Sequence, residues 1–402
     1  MRLTIVNQFY LPDLSPTAHL AASLAEHRAA RGDQVTVVAG SGAYAAAPAA
    51  GAPRNRGSAR LRRIWTPSLG KRSALRRATD YAIFFAQAKW TLLTLPRQDV
   101  ILLMTTPPYI ALTGIVHQWL HRRTRLILWS MDCYPETLER AGILREGGLV
   151  SRLLRGANHW LYRRLERVVC LDEAMRSMLE QAYGVKGHPQ LDVIPNWEPA
   201  ALFPAGRKPS VWEGVERLSL EGRQVVLYTG NAGAGHRFET ILAAGKMLPA
   251  SEFAFLFVGG GSAWPALQTA KDSMGLEHFI IEGYVPEGET PSVLAAADVA
   301  LITLRDEMLG VMSPSKLHSA LAMRLPILYI GPAGGNVHEA IDRFGCGVSL
   351  RHGDVEGAVA FLTRLKDDPA ARRQYASRAR QAFETAYNDR VALAQFDSLL
   401  DG

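Results

Sequence analysis

The chain has 402 residues, 48% hydrophobic and 21% charged, which provides cores for two or three domains. Its net charge of +7 is uneven: residues 1–195 carry 26 Lys and Arg against 14 Asp and Glu, the remainder 19 against 24. Three scattered cysteines, Cys133, Cys170 and Cys346, lie in or beside apolar runs, which argues against disulfides or a metal site and for a reducing compartment.

Residues 3–9 read as a strand starting directly after Arg2, so no signal peptide is expected. Residues 17–30 follow as an amphipathic helix and 34–39 as the next strand. Residues 43–58, rich in Ala, Pro and Gly, read as a loop. Nine basic residues and no acid then run from Arg54 to Arg77, among them Arg62, Arg63, Arg72 and Arg76 around Trp65. Charge beside aromatic and apolar residues suits an anionic membrane surface. A nucleic-acid surface would need a binding module, and none is recognised. The apolar run 81–95 contains Gln87 and Lys89 and is shorter than the roughly 20 residues of a membrane-spanning helix. Residues 99–104, 126–129 and 168–171 are short apolar runs without alternation, as in strands buried on both faces of a parallel sheet. Residues 192–197, DVIPNW, close this half.

Residues 198–223 are irregular, and strand-like and helix-like runs alternate again from 225 to 350. Here YTGNAGAGHRFETIL (228–242), FLFVGGG (255–261), GYVPEGE (283–289), ADVALITL (297–304) and SPSKLHSALAMRLPILYI (313–330) follow in order. Strand-to-helix turns are where open α/β sheets bind ligands. Lys316 opens a helix behind Ser313, Pro314 and Ser315, where a cation, hydroxyls and helix amides can together hold a phosphate. Gly230, Asn231 and Gly233 make a glycine-rich turn ahead of His236 and Arg237, and Gly259 and Gly260 follow a strand; both can bring backbone close to a phosphate or nucleotide. Asp132 follows the 126–129 run and can orient or deprotonate a hydroxyl, or simply cap the helix behind it. Glu136 is a second such carboxylate. Residues 354–368 and 369–387 read as terminal helices.

The segments NQFYLPDLSPTAHLAASLAEHRAARGDQVTVVAG, WSMDCYPE, VIPNW and SPSKLHSALAMRLPIL, in this order, resemble glycosyltransferase family 4 over nearly the whole chain. SPSKLHSALAMRLPIL is similar to the P-S-K-L branch associated with bacterial surface polysaccharides, of the colanic-acid type. The resemblance implies an α/β GT-B fold: two Rossmann-like doubly wound domains facing each other across a cleft. It places an acceptor domain at 1–195, a linker at 196–223, a nucleotide-sugar domain at 224–368, and C-terminal helices at 369–402 packing back on the first domain. It implies a retaining transfer from a nucleotide-diphosphate sugar, with a UDP-sugar as the leading candidate, and no metal or other cofactor. Donor contacts fall on Gly230, Asn231, Gly233, His236, Arg237, Gly259, Gly260, Tyr284, Val285, Pro286, Ser313, Ser315, Lys316 and Ser319. Catalytic roles fall on Asp132, Lys316 and Glu136, and acceptor contacts on Ser15, Thr17 and His19. Val311 and Ser319 stand where the family often has two glutamates, and Ser15-Pro16-Thr17 where it often has a Gly-Gly turn. The expected partner is a lipid-linked acceptor at the cytoplasmic face of the plasma membrane, reached through residues 54–77, with closure about residues 192–203. The rivals are a nucleotide-sugar epimerase of the same shape and a silent relative that tethers a partner enzyme to the membrane.

Overall fold

The computed structural model describes residues 1–13, 15–41, 58–67, 74–184, 187–203 and 211–402. The loop expected at 43–58 lies almost wholly outside them, as do Arg54, Arg56, Lys71 and Arg72 of the basic run. The chain divides into two compact units, Met1–Ile194 with Leu393–Gly402, and Pro195–Ala392.

In the first unit, β1 (Arg2–Val6), α1 (Pro16–Ala30), β2 (Gln34–Gly40), β3 (Arg60–Ile64), α2 (Ala74–Thr94), β4 (Val100–Met104), α3 (Ala111–Leu120) and β5 (Arg125–Trp129) lead to α4 (Glu136–Arg140), α5 (Leu149–Tyr162), β6 (Arg167–Cys170), α6 (Glu173–Tyr183) and β7 (Gln190–Val193). The strands form one parallel sheet in the order β3-β2-β1-β4-β5-β6-β7. All five residues of β4 are buried, because helices cover both faces of a parallel sheet and leave no side for polar alternation. β3 corrects the sequence reading. It lies within the basic run, where no strand was expected, and it forms the sheet edge.

The second unit repeats the design. Its elements are α7 (Gly214–Arg217), β8 (Gln224–Asn231), α8 (Glu239–Met247), β9 (Phe253–Gly260), α9 (Trp264–Met274), β10 (Phe279–Glu282), α10 (Thr290–Ala295) and β11 (Val299–Thr303). They continue with α11 (Lys316–Ala322), β12 (Ile327–Ile330), α12 (Asn336–Phe344), β13 (Gly347–Leu350), α13 (Val355–Asp367) and α14 (Pro369–Ala382). The six strands are parallel, in the order β10-β9-β8-β11-β12-β13. Phe253, Phe255, Phe257 and Phe279 are fully buried, with the Phe255 and Phe279 rings stacked at 4.4 Å. Each such side chain contributes about 1.5–3 kcal/mol of apolar burial. Strand order reverses between β1 and β4 and again between β8 and β11, so each sheet has a switch point at its carboxyl edge, the usual place for a ligand.

The final helix, α15 (Asp389–Asp401), brings its end to the first unit. Arg28, almost fully buried, donates to Asp397 at 2.7 Å and to Asp33 at 2.7 Å, and also bonds Asp401. The Phe396 ring lies 4.6 Å from that of Trp129. Of residues 369–402, only Leu393–Gly402 belong to the first unit. α14 belongs to the second unit, where Arg380 donates to the carbonyls of Phe203 and Ala322 at 2.9 and 3.2 Å.

Candidate functional site

In the second unit the site begins where β8 and β9 end side by side, with Gly230 opposite Gly259 and Asn231 opposite Gly260. Gly259 has φ +141°, and a Cβ there would lie 2.2 Å from the Gly230 carbonyl oxygen. Only glycine permits this approach. Gly230, at φ +92°, takes a left-handed conformation within the last two pairs of β8. The His236 amide then donates to the Gly233 carbonyl at 3.1 Å and closes the turn into α8.

Lys316 is the first residue of α11, and its ammonium reaches back to this turn. It donates to the Asn231 carbonyl at 3.3 Å and sits 4.7 Å from the centre of the Tyr228 ring. The ring face attracts the cation. Burial still pushes the lysine pKa down to about 8, and no carboxylate among the described residues offsets it. A desolvated cation without a counter-charge is a strong site for an anionic group. Ser315 precedes it without making a side-chain cap bond, and Ser319 spends its hydroxyl on the Lys316 carbonyl at 3.3 Å. Ser313 is half-buried, and Asn336 donates to the Pro314 carbonyl at 3.2 Å, tying this turn to the start of α12.

His236 cannot serve as a second cation. Its Nδ1–H donates to the Thr303 carbonyl at 2.8 Å, and burial, then the charge of Lys316, push its pKa down to about 3. The neutral ring offers Nε2 as an acceptor. Arg237 is half-exposed and pairs with Glu239 at 3.3 Å, an exposed pair of small energetic weight. Tyr284 is 68% exposed and lies against Gly260, where a Cβ would fall 2.8 Å from its ring. Val285 is half-buried beside it and Pro286 exposed. Sequence reasoning missed the roles of Tyr228 and Thr303. The signal for Tyr228 was an aromatic just ahead of Thr-Gly-Asn at a strand end.

The first unit holds the carboxylates. The Met131 and Asp132 amides both donate to the Thr105 hydroxyl beyond β4, at 2.8 and 3.2 Å, which fixes the turn after β5. Burial raises the Asp132 pKa to about 6, and no hydrogen bond to its carboxylate is found among the described residues. It is not a helix cap: Pro135 occupies that position of α4, without a side-chain cap bond. Glu136, by contrast, is a packing residue. It is buried, accepts from the Tyr183 hydroxyl, and lies 3.5 Å from Arg155. Ser15 caps α1, accepting from the Ala18 amide at 3.2 Å, and its hydroxyl meets that of Thr17 at 3.0 Å. The Thr17 carbonyl accepts from Asn7 at 3.2 Å, and His19 is half-buried on the same helix.

Arg63 corrects the expected membrane surface. On β3 it turns inward, donating to the Gly40 carbonyl at 2.7 Å and to the carbonyls of Tyr10 and Leu11. It stitches the turn after β1 to the end of β2. Arg60 and Arg76 are exposed and Arg62 half-buried.

Two family profiles cover these units: Glycosyl transferase 4-like domain over residues 17–197, and Glycosyl transferases group 1 over residues 223–368. The chain belongs to the family 4 glycosyltransferases. It is 29% identical over 282 residues to WbjE of Pseudomonas aeruginosa, a protein named as a glycosyltransferase. That match covers 68% of this chain and 66% of WbjE. It is 25% identical to WcaI of Escherichia coli K12, named for glycosyl transfer in colanic acid biosynthesis, over 63% of this chain and 64% of WcaI. The structure of Anabaena HepE, crystallised with UDP and glucose, matches at TM-score 0.72 and 15% identity over the whole of both chains, which shows the GT-B fold.

Within this family the chain departs at the two positions that often carry glutamate. Val311 is fully buried, and Ser319 is occupied with the helix backbone. The acidic pair has no replacement at these positions.

Proposed function

We propose that this glycosyltransferase moves a sugar from a nucleoside-diphosphate sugar, with UDP as the leading nucleotide, to a lipid-linked acceptor in bacterial surface-polysaccharide assembly, with retention of configuration. The observation that carries the reading is Lys316, held over the Tyr228 ring beside two glycine turns with no anion among the described residues to neutralise it. In the transfer the bond between the sugar's anomeric carbon and the diphosphate breaks while the acceptor oxygen bonds the same face. The acceptor proton passes to the departing phosphate oxygen. Lys316 offsets the charge that grows there, and the neutral His236 accepts a hydrogen bond from a hydroxyl. Asp132 orients the acceptor hydroxyl. Tyr284, exposed beside Gly260, offers a ring face to the nucleobase. A relative named for colanic acid biosynthesis and a fold neighbour crystallised with UDP support the substrate class. Arg60, Arg62 and Arg76 remain candidates for contact with an anionic membrane, and no helix among the described residues is long and apolar enough to cross one.

The test is calorimetric titration with UDP, GDP, ADP and dTDP sugars, followed by transfer assays on lipid-linked acceptors. Saturable binding of one donor and product only with acceptor support the reading. Turnover of the donor without acceptor points to an epimerase. No turnover with any donor and lipid-linked acceptor points to a silent relative.

A further inference from the structure

Helix α5 exposes more apolar surface than a helix that merely covers a sheet. The inward face of such a helix is normally apolar and its outward face polar. Here the inward face buries Leu161 and Tyr162 at its end but also bonds through polar groups: Ser151 and Arg155 to Glu139, and Asn158 to the Tyr134 carbonyl at 2.6 Å. The outward face is apolar. Leu149 is 76% exposed, Leu153 65% and Trp160 39%, and these three share one stripe at helical spacing. Ile143, in the loop that leads into the helix, is also exposed. Arg152 and Arg163 flank the stripe on one side, and the Arg164 guanidinium lies 3.8 Å over the Trp160 ring on the other. From residue 145 to 164 there are five arginines and one acid, Glu146.

We infer that this face of α5 docks on an anionic lipid bilayer, an assignment that rests on the reading of a lipid-linked acceptor. The apolar stripe enters the boundary between headgroups and acyl chains while the flanking guanidinium groups meet lipid phosphates. The charge selects the occupant. A second copy of the same face would set arginines against arginines, whereas an anionic surface complements them. The topology gives the docking a purpose. α5 joins the parallel strands β5 and β6, so it runs antiparallel to them and starts at the carboxyl edge of the sheet, the edge where Asp132 stands. Its inner face is tied through Asn158 to Tyr134, two residues beyond Asp132. Docking α5 therefore brings the carboxylate that orients the acceptor toward the surface in which a lipid-linked acceptor is anchored.

The test is co-sedimentation of the full chain with vesicles of equal parts phosphatidylcholine and phosphatidylglycerol, and with vesicles of phosphatidylcholine alone. Two variants are compared with the parent, one carrying Leu149→Ser with Leu153→Ser, the other Arg152→Glu with Arg163→Glu. All four positions are exposed, so melting temperature and UDP binding should stay as in the parent. Each variant should lose about tenfold or more in partition to the anionic vesicles. Unaltered sedimentation of both variants overturns the assignment, as does a parent that binds neither kind of vesicle. A dimer seen by analytical ultracentrifugation that the variants abolish would give the face to a second copy and equally overturn it. Failure of the parent to bind any nucleotide counts against the donor reading and leaves the lipid readout intact.

Discussion

Lys316 in the second unit and Asp132 in the first both stand beyond the carboxyl end of a parallel strand, and both are half-buried charged groups for which the described residues supply no opposite charge. One cause acts on them with opposite sign. Loss of water disfavours the charged form, so the lysine falls to about 8 and the aspartate rises to about 6. Arg28 shows the other kind of buried charge, surrounded by Asp33, Asp397 and Asp401 in a closed cluster that fastens α15. The contrast separates charge that holds the fold from charge left for a ligand. Glu136, engaged with Tyr183 and Arg155, falls on the structural side.

Substitutions at three positions sharpen or break this contrast. Gly259→Ala has the largest expected effect. Its Cβ would overlap the Gly230 carbonyl at a positive φ, so the variant should lose about 3 kcal/mol of stability or more in a denaturant melt. A variant as stable as the parent would mean the two glycine turns are not closely packed.

Lys316→Ala comes next. It should weaken donor binding by about 1–3 kcal/mol in calorimetry. Lys316→Met should do the same while raising the melting temperature of the ligand-free protein at neutral pH. The folded lysine binds its proton less tightly than the unfolded one, so its cost is present below pH 8 and fades as pH rises toward 10.5. A drop in melting temperature with unchanged donor affinity would place Lys316 with Arg28 among the structural charges.

Asp132→Asn is the smallest effect on stability and the clearest on chemistry. The folded carboxyl holds its proton up to about pH 6 and the unfolded one only to about 3.8, so stability falls as pH rises through that window. Asparagine removes the loss. The variant should be more stable than the parent by about 1–2 kcal/mol at pH 7 and equal to it near pH 3, by thermal melts across pH. Sugar transfer should fall strongly with donor affinity unchanged. Transfer at the parent rate would free Asp132 from any acceptor role and make His19 the next residue to examine.

Most strands were legible because a strand buried on both faces must be a continuous apolar run, as in β4 and β9. β3 was not, since Arg60, Arg62 and Arg63 read as a surface charge block, and an edge strand tolerates such residues. The glycine turns and the lysine behind Ser-Pro-Ser were legible because turn chemistry is local. α5 escaped notice because an apolar stripe at helical spacing ordinarily faces a core.

The amino-acid sequence alone determined the alternation of strand and helix, the order of the glycine and Ser-Pro-Ser-Lys turns, and the family to which they belong. These depend on contacts between neighbours along the chain and on the pattern of burial. Tertiary structure decided what each charge does. It brought Lys316 over Tyr228, turned Arg63 inward to three carbonyls, left the Asp132 carboxylate without a hydrogen-bond partner among the described residues while engaging Glu136, and set the apolar stripe of α5 outward. The physical reason is that desolvation and charge pairing depend on groups distant in sequence, and no local pattern reports which of them will meet.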